Sequence, residues 1–269
     1  MLAARPTLTP FAGGTDIYPA QAARFAWGEG APSAMLDLGA LPGFSGIETG
    51  EAEWRIGAGT SWARLRDAGL PAAFDALRAA SRAVGGAQIQ NRGTIGGNLC
   101  NASPAADGVP PLLALGAEVE LASLRGTRRL TLGEFLRGNR ATARTADELL
   151  TAVLVPRRSG DWRSGFEKLG ARHSLVISIV MVAANLRMES GRIAEAAIAV
   201  GACSPVAQRL TTLEDALRGS RPGEIAVNAG YLEGLSPIDD ARGTAAYRRE
   251  AALVLVRRLV ARLARVQQV

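Results

Sequence analysis

An α+β fold in two parts is the architecture this sequence predicts, and three observations predict it. Short apolar runs of strand character alternate with helix-period stretches as far as Val155. The segment Pro156-Arg157-Arg158-Ser159-Gly160-Asp161 then interrupts the pattern. Beyond it come two long apolar runs and a long segment of helical period.

Before the break, strands are expected at Ser33 to Leu38, Glu53 to Gly57, Glu118 to Ala122 and Leu149 to Val155, and helices at Trp62 to Ala68, Pro71 to Val84, Val109 to Gly116 and Leu132 to Arg137. Thr60 or Ser61 caps the first helix, with Trp62, Leu65 and Leu70 on its buried side. After the break, Ser174 to Met188 and Ile193 to Cys203 read as long strands, because their apolar character is nearly unbroken. A short helix at Thr212 to Leu217 and a long one from Asp240 to Gln267 complete the chain. In that last helix Leu255, Leu259 and Leu263 form an apolar row, while Arg258, Arg262 and Arg265 form a solvated or subunit-facing stripe. The interruption divides the chain into residues 1–160 and 161–269.

Composition bounds the function. With 269 residues, 48% of them hydrophobic, the chain can bury a sizeable core. No apolar run approaches the roughly 18–20 residues that cross a membrane, and Met1 to Pro6 lack a signal-peptide core, so a soluble, cytoplasmic protein is expected. The formal charge is +6 and the isoelectric point about 10.3. The arginines are nevertheless scattered, without the clustered stripe of a nucleic-acid-binding protein, so no nucleic-acid partner is expected and the basic balance suits a surface habit or acidic partner subunits. Of the 31 basic residues, Lys168 alone is lysine. That substitution pattern marks a place where a compact ammonium fits and a planar guanidinium does not.

The two cysteines, Cys100 and Cys203, lie far apart without metal-ligand spacing, and the single His173 has no catalytic companion motif. No metal site is expected, and Cys100 reads as a buried free thiol. Gly57-Ala58-Gly59-Thr60-Ser61-Trp62 begins like a dinucleotide fingerprint but ends in Trp, and the lone lysine rules out a phosphate-binding loop of the G-x-x-x-x-G-K type.

The chemistry points instead to two glycine-rich turns, Phe11-Ala12-Gly13-Gly14-Thr15-Asp16 followed by Ile17, and Thr94-Ile95-Gly96-Gly97-Asn98 followed by Ser103 and Asp107. Each pairs adjacent glycines with a Thr hydroxyl and a short polar side chain, so each can aim several backbone N–H groups at one anion. Two such nests suit a pyrophosphate.

At these residues the sequence resembles the FAD-binding medium subunits of the molybdenum hydroxylases, the group of xanthine dehydrogenase and carbon monoxide dehydrogenase. Their turns read A-G-G-T-D and T-I-G-G-N, the latter followed by A-S-P and an Asp. The likeness continues through Phe135 to Thr142, Glu148-Leu149-Leu150, Lys168-Leu169-Gly170 and Tyr247-Arg248-Arg249. The resemblance implies a two-lobed FAD-binding domain of the PCMH, or vanillyl-alcohol oxidase-like, type over 1–160. A smaller α+β domain with an antiparallel sheet and a long C-terminal helix is implied over 161–269. It implies that Phe11 to Ile17 and Thr94 to Asn98 line the diphosphate and ribityl chain of FAD, with side-chain hydrogen bonds from Thr15 and Asn98. Ser103 joins this set, Asp107 bonds the adenosine or ribityl portion, Leu150 packs on a ring, and Lys168, on the strand opening the C-terminal region, holds a polar edge. Val84 stands where relatives carry an aromatic, and Gly170 to Ser178 is the implied loop beside the flavin. The family has a further strand and helix before the first turn, whereas ten residues precede Phe11 here, so a trimmed edge or an internal start is expected.

The implied function is electron transfer, with no catalytic acid or base in this chain. Molybdenum cofactor would reside in a large partner subunit and two-iron two-sulfur clusters in a small one, and NAD+ or another acceptor would take the electrons from FAD. The alternative is a free-standing FAD oxidoreductase with its own substrate site. That alternative needs convergent polar groups beside the flavin, which a chain with one His and few aromatics supplies poorly.

Overall fold

Two antiparallel sheets carry the structure, and how continuously their strands are apolar decides where each sheet sits. The computed structural model describes residues 1–5, 7–26, 34–173 and 175–265. The chain opens with β1 (Thr9–Phe11), α1 (Ile17–Ala26) and β2 (Met35–Asp37), the two strands pairing in parallel. Next come β3 (Ile47–Thr49), β4 (Glu53–Gly57), α2 (Trp62–Asp67), α3 (Asp75–Ala83), α4 (Ala87–Arg92), α5 (Ile95–Asn101) and α6 (Val109–Leu115). β5 (Glu118–Ser123), β6 (Gly126–Thr131), α7 (Leu132–Phe135), the small hairpin β7 (Leu136–Gly138) and β8 (Ala141–Thr142), and β9 (Leu149–Pro156) complete the first half. Its sheet has five strands in the order β3-β4-β9-β5-β6, all antiparallel. Central β9 is mostly buried, and edge β6 is almost wholly exposed, with Arg128 and Arg129 paired to Glu148 and Glu53.

The second sheet is formed by β10 (Asp161–Leu169), β11 (Val180–Glu189), β12 (Arg192–Gly201) and β13 (Gln208–Arg209), in that order. Helices α8 (Thr211–Leu217) and α9 (Ala245–Ala264) follow. The first seven residues of β11 are all buried, because both faces of this sheet are covered. On one face Ile198, Leu213, Leu255, Val256 and Leu259 belong to a single core with α8 and α9. On the other, Ala183 and Ala197 meet Ala76 of α3 and Ala114 of α6. At that contact the buried side chains of sheet and helices are alanines, with Phe166 of β10 packed beside them, so helices from the first half approach the sheet closely. Asn185 donates to the Ala73 carbonyl at 3.1 Å, and the Ala76 amide donates to Ser164 at 3.0 Å, which fixes the register of this packing.

Several expectations need correction. Asp161, expected as the last residue of the break, already opens strand β10, and the partner strand runs only from Val180, so 175–179 is a connection rather than strand; Ser174 lies outside the described residues. The first strand covers Met35–Asp37, Ser33 again lying outside. The last helix starts at Ala245, where Thr244 caps it by accepting from the Tyr247 amide, and the expected end at Gln267 lies outside the described residues. Leu255, Leu259 and Leu263 are buried as expected. Arg258 and Arg262 are exposed, as a solvated stripe requires, and both also pair with Glu167 of β10, while Arg265 lies past the helix end.

Glu148, at the entrance to β9, provides a prediction about acid stability. Its carboxylate accepts from Arg128 at 2.7 and 2.9 Å and from the Thr145 amide at 2.9 Å, and these donors, Arg128 foremost, hold it at about 2. A carboxyl held below its ordinary 4.5 stabilises the fold fully above that value and loses this contribution as pH falls toward 2. Glu148→Gln is expected to lower stability by about 1–3 kcal/mol at neutral pH. The gap to the wild type should narrow between pH 4.5 and 2 in denaturant melts, and a gap that stayed constant with pH would contradict this role.

Candidate functional site

A cavity of about 690 Å3 opens where the first turn, α5, β9 and the 175–177 connection converge. The first turn begins where β1 ends. The amide of Leu38, just past β2, donates to the Phe11 carbonyl at 2.9 Å, and the chain then bends away. Gly13 lies against the end of α4 so tightly that a Cβ would stand 2.0 Å from the Arg92 carbonyl oxygen. Gly14 has a φ of +74° and is wedged against the rings of Phe11 and Tyr18, which meet edge to face at 5.6 Å. The amides of Gly13, Gly14, Thr15 and Asp16 find no protein acceptor among the described residues, nor does the Thr15 hydroxyl. Unpaired amides on a partly buried turn are groups awaiting an acceptor.

The second glycine segment differs from expectation. It is no separate turn but the start of α5: Thr94 is the N-cap, and its hydroxyl accepts from the Gly97 amide at 3.0 Å. The other amides are also used internally, Ile95 on the Thr60 carbonyl at 3.0 Å, Gly96 on the Ala58 carbonyl at 2.8 Å and Asn98 on the Thr94 carbonyl at 3.0 Å. The reason is packing. A Cβ on Gly96 would stand 2.6 Å from that of Ala58, so glycine lets α5 sit directly on the chain after β4. Only the first of the two expected amide nests is therefore free for an anion. α5 contributes instead the bare wall at Gly97 and the side chain of Asn98, whose Oδ1 is buried without a partner.

Of the residues singled out in the sequence, Ala12, Gly13, Gly14, Thr15, Asp16, Ile17, Thr94, Gly96, Gly97, Asn98, Ser103, Asp107 and Leu150 line this one cavity. Three stand apart from it. Phe11 faces a smaller neighbouring cavity of about 310 Å3, Ile95 is fully buried in the core, and Lys168 bonds the Asp107 carboxylate. Val84 and the 175–177 part of the Gly170 to Ser178 loop also reach the wall. Leu175, with φ of +54°, packs so close to Gly86 that a Cβ there would stand 2.9 Å from it. Ile89, Leu149, Leu175 and Ile177 add apolar surface.

Sequence reasoning missed the rim. The Arg140 guanidinium donates to Asn101 Oδ1 at 2.5 Å, and Asn101 Nδ2 donates to Asp16 Oδ1 at 3.0 Å. This chain ties the β7–β8 hairpin to α5 and to the first turn. Arg140 and Arg144, both at the cavity wall, make its margin cationic. The signal was the Phe135 to Thr142 segment, which carried no assigned role. Cys100, expected buried, is exposed at the cavity wall, because it follows Gly97 by three residues on the same face of α5. The surrounding protein still pushes its thiol up to about 11, so it is protonated at neutral pH. Burial also raises the Asp107 carboxyl, opposed by Lys168 and Ser178. Among the described residues there is no cluster of His, Cys, Asp or Glu that could hold a metal ion, and no helix long and apolar enough to cross a membrane.

The family model described as "FAD binding domain in molybdopterin dehydrogenase" matches residues 1–158, and that described as "CO dehydrogenase flavoprotein C-terminal domain" matches residues 166–263. The nicotine 6-hydroxylase medium subunit of Paenarthrobacter nicotinovorans is 34% identical, over 93% of this chain and 87% of that one. The xanthine dehydrogenase FAD-binding subunit of Escherichia coli O157:H7 is 27% identical over 97% of this chain and 90% of its own. Among solved structures, a chain of the Cu,Mo-CO dehydrogenase in its cyanide-inactivated form superimposes with a TM-score of 0.89 at 28% identity, covering 96% of this chain and 90% of that chain.

Proposed function

Because the chain belongs to the family of FAD-binding domains of molybdopterin dehydrogenases, we propose that it is the electron-transfer subunit of a molybdenum hydroxylase complex. In this reading it takes electrons from iron–sulfur clusters in a small partner subunit and delivers them to NAD+ or another acceptor. A large partner subunit holds the molybdenum cofactor and determines the substrate. Residues 1–160 are assigned as the domain that holds the cofactor and 161–269 as the domain that closes it in.

FAD is the cofactor, and the residues present fit it. The observation that carries the proposal is the set of unpaired amides at Gly13 to Asp16 on a cavity whose opposite needs are also unmet, a buried acceptor at Asn98 and a wall left bare at Gly97. In this assignment the first turn receives the diphosphate, and Thr15, Asn98 and Ser103 supply polar contacts. Asp107 faces the adenosine or ribityl portion and Leu150 packs on the ring system. When bound, FAD supplies redox chemistry that no protein side chain here provides. The chain's own contribution is to hold and orient the group and to exclude water from the apolar wall of Val84, Ile89, Leu150 and Leu175.

The purified chain is expected to be yellow with one FAD per polypeptide, all of it released on denaturation. Colourless protein, released FMN, or flavin remaining on the polypeptide would each contradict the reading. In the co-purified complex, substrate should bleach the flavin absorbance only when the small iron–sulfur subunit is present. Bleaching by substrate in the isolated chain would favour a free-standing flavoenzyme instead.

A further inference from the structure

The first turn is loosely tied to the rest of the chain. Among the described residues from Gly13 to Ala20, the hydrogen bonds run within the segment, from Tyr18 to Gly14 and from Ala20 to Asp16, with one exception. Asn101 Nδ2 donates to Asp16 Oδ1 at 3.0 Å. Asn101 stands four residues after Gly97 on the same face of α5, so this bond joins the turn to the wall that α5 provides.

An asparagine amide has a donating and an accepting end, and Arg140 decides which end meets Asp16. Its guanidinium donates to Asn101 Oδ1 at 2.5 Å, which leaves the NH2 facing the carboxylate. Arg140 is itself held at the tip of the β7–β8 hairpin. Its amide donates to the Ala102 carbonyl at 2.9 Å, and its φ of +55° is one that residues with a side chain seldom adopt. Arg140, Asn101 and Asp16 all line the cavity.

From this arrangement we propose that Arg140 is a positioning residue for the turn assigned to the diphosphate. Through Asn101 it fixes Asp16, and so holds the turn in register with α5. The turn needs such a tether because two successive glycines, one at a φ of +74°, leave its backbone free to bend. A turn ordered before the ligand arrives spares binding the cost of ordering it.

The inference rests on the reading that FAD fills this cavity, and a double-mutant cycle on the full-length apo-protein separates the two. Wild type, Arg140→Met, Asn101→Ala and the double variant are titrated with FAD. The wild type should bind, and failure there removes the reading itself. Arg140→Met should weaken binding roughly three- to tenfold, as the loss of one exposed hydrogen bond would. In the Asn101→Ala background the same change should alter affinity by less than about twofold, because the relay is already cut. Equal losses in both backgrounds would mean that the guanidinium acts on FAD directly, and no loss in either would mean that the hairpin does nothing for binding. Both results overturn the proposal.

Asn101→Asp supplies a readout that simple anchoring of the hairpin would not move. A carboxylate at position 101 keeps a partner for Arg140 but has no proton to give Asp16. The apo-protein should melt within about 2 °C of the wild type, while its affinity for FAD falls at least as far as that of Asn101→Ala. Wild-type affinity, or a loss that only tracks a fall in melting temperature, would reduce the contact to hairpin docking and overturn the proposal. If Arg140→Met does not fold, Arg140→Gly, which suits the left-handed backbone, enters the same cycle with the same criteria.

Discussion

Gly97→Val should abolish FAD retention while leaving the apo-protein's stability close to wild type. Gly97 lies on the cavity wall in α5, and a Cβ there would meet only the Thr94 hydroxyl, at 3.0 Å. Its backbone is helical, so a side chain imposes no φ penalty, and valine is no worse than glycine in helix propensity. The added atoms therefore enter the space assigned to the cofactor and displace little protein. A loss of about two decades or more in affinity is expected, growing along the series Ala, Val, Leu. Gly96→Ala is the control one residue away. Its Cβ would stand 2.6 Å from that of Ala58 and 2.8 Å from the Ala58 carbonyl oxygen, so it should cost about 1–3 kcal/mol of apo-protein stability through overpacking. Gly14→Val mixes both effects, since it combines a strained φ with a clash against Phe11 and Tyr18. FAD titration and thermal melting of the wild-type and variant apo-proteins decide the matter. Tight binding by Gly97→Val would remove α5 from the cofactor wall.

The same segment explains what the sequence did and did not disclose. Adjacent glycines beside Thr15 and Thr94 located the cavity, but glycine spacing could not tell a backbone that waits for a ligand from one that packs on protein. Only the first turn is of the former kind; Gly96 answers to Ala58, some forty residues upstream. Elements with a clear apolar period were legible: Glu53 to Gly57 matches β4 end to end, and β9, α6 and α8 are recovered within a residue or two. Those without one were not. β6 is an exposed edge strand with no buried face to set an alternation, and α5 carries two glycines and two asparagines, held helical by its Thr94 cap and tertiary packing. The apolar pattern did not give β10, because Trp162, Phe166 and Leu169 are its only large apolar residues; the family resemblance alone placed Lys168 on a strand. β10 becomes a strand by pairing along its whole length with β11. The Lys168–Asp107–Ser178 cluster spans 71 residues of sequence, and no local pattern announces which carboxylate the lone lysine will find.

Arg248→Met should destabilise the C-terminal region more than any surface change, because a single buried guanidinium joins three separate segments there. The residue is 3% exposed in the first turn of α9. One nitrogen donates to the Ile179 carbonyl at 2.6 Å and the Ala202 carbonyl at 3.2 Å, and the other to Asp240 at 2.7 Å. These partners lie just before β11, just after β12 and in the loop that enters α9, so the arginine closes the end of the sheet against its helix. Methionine fills much of the volume and satisfies none of the three acceptors. Two carbonyls losing their partner, with the carboxylate left to solvent, should cost about 2–4 kcal/mol. In melting temperature this is on the order of 10 °C. Arg248→Lys should recover only part of it, since one ammonium cannot reach acceptors that a fork spans. Ile179 directly follows Ser178, so loosening its carbonyl should also relax the hold on Asp107 and weaken FAD binding in protein that is still folded. Apo-protein melting within about 2 °C of wild type would show that the three hydrogen bonds contribute nothing net and that packing alone holds α9 in place.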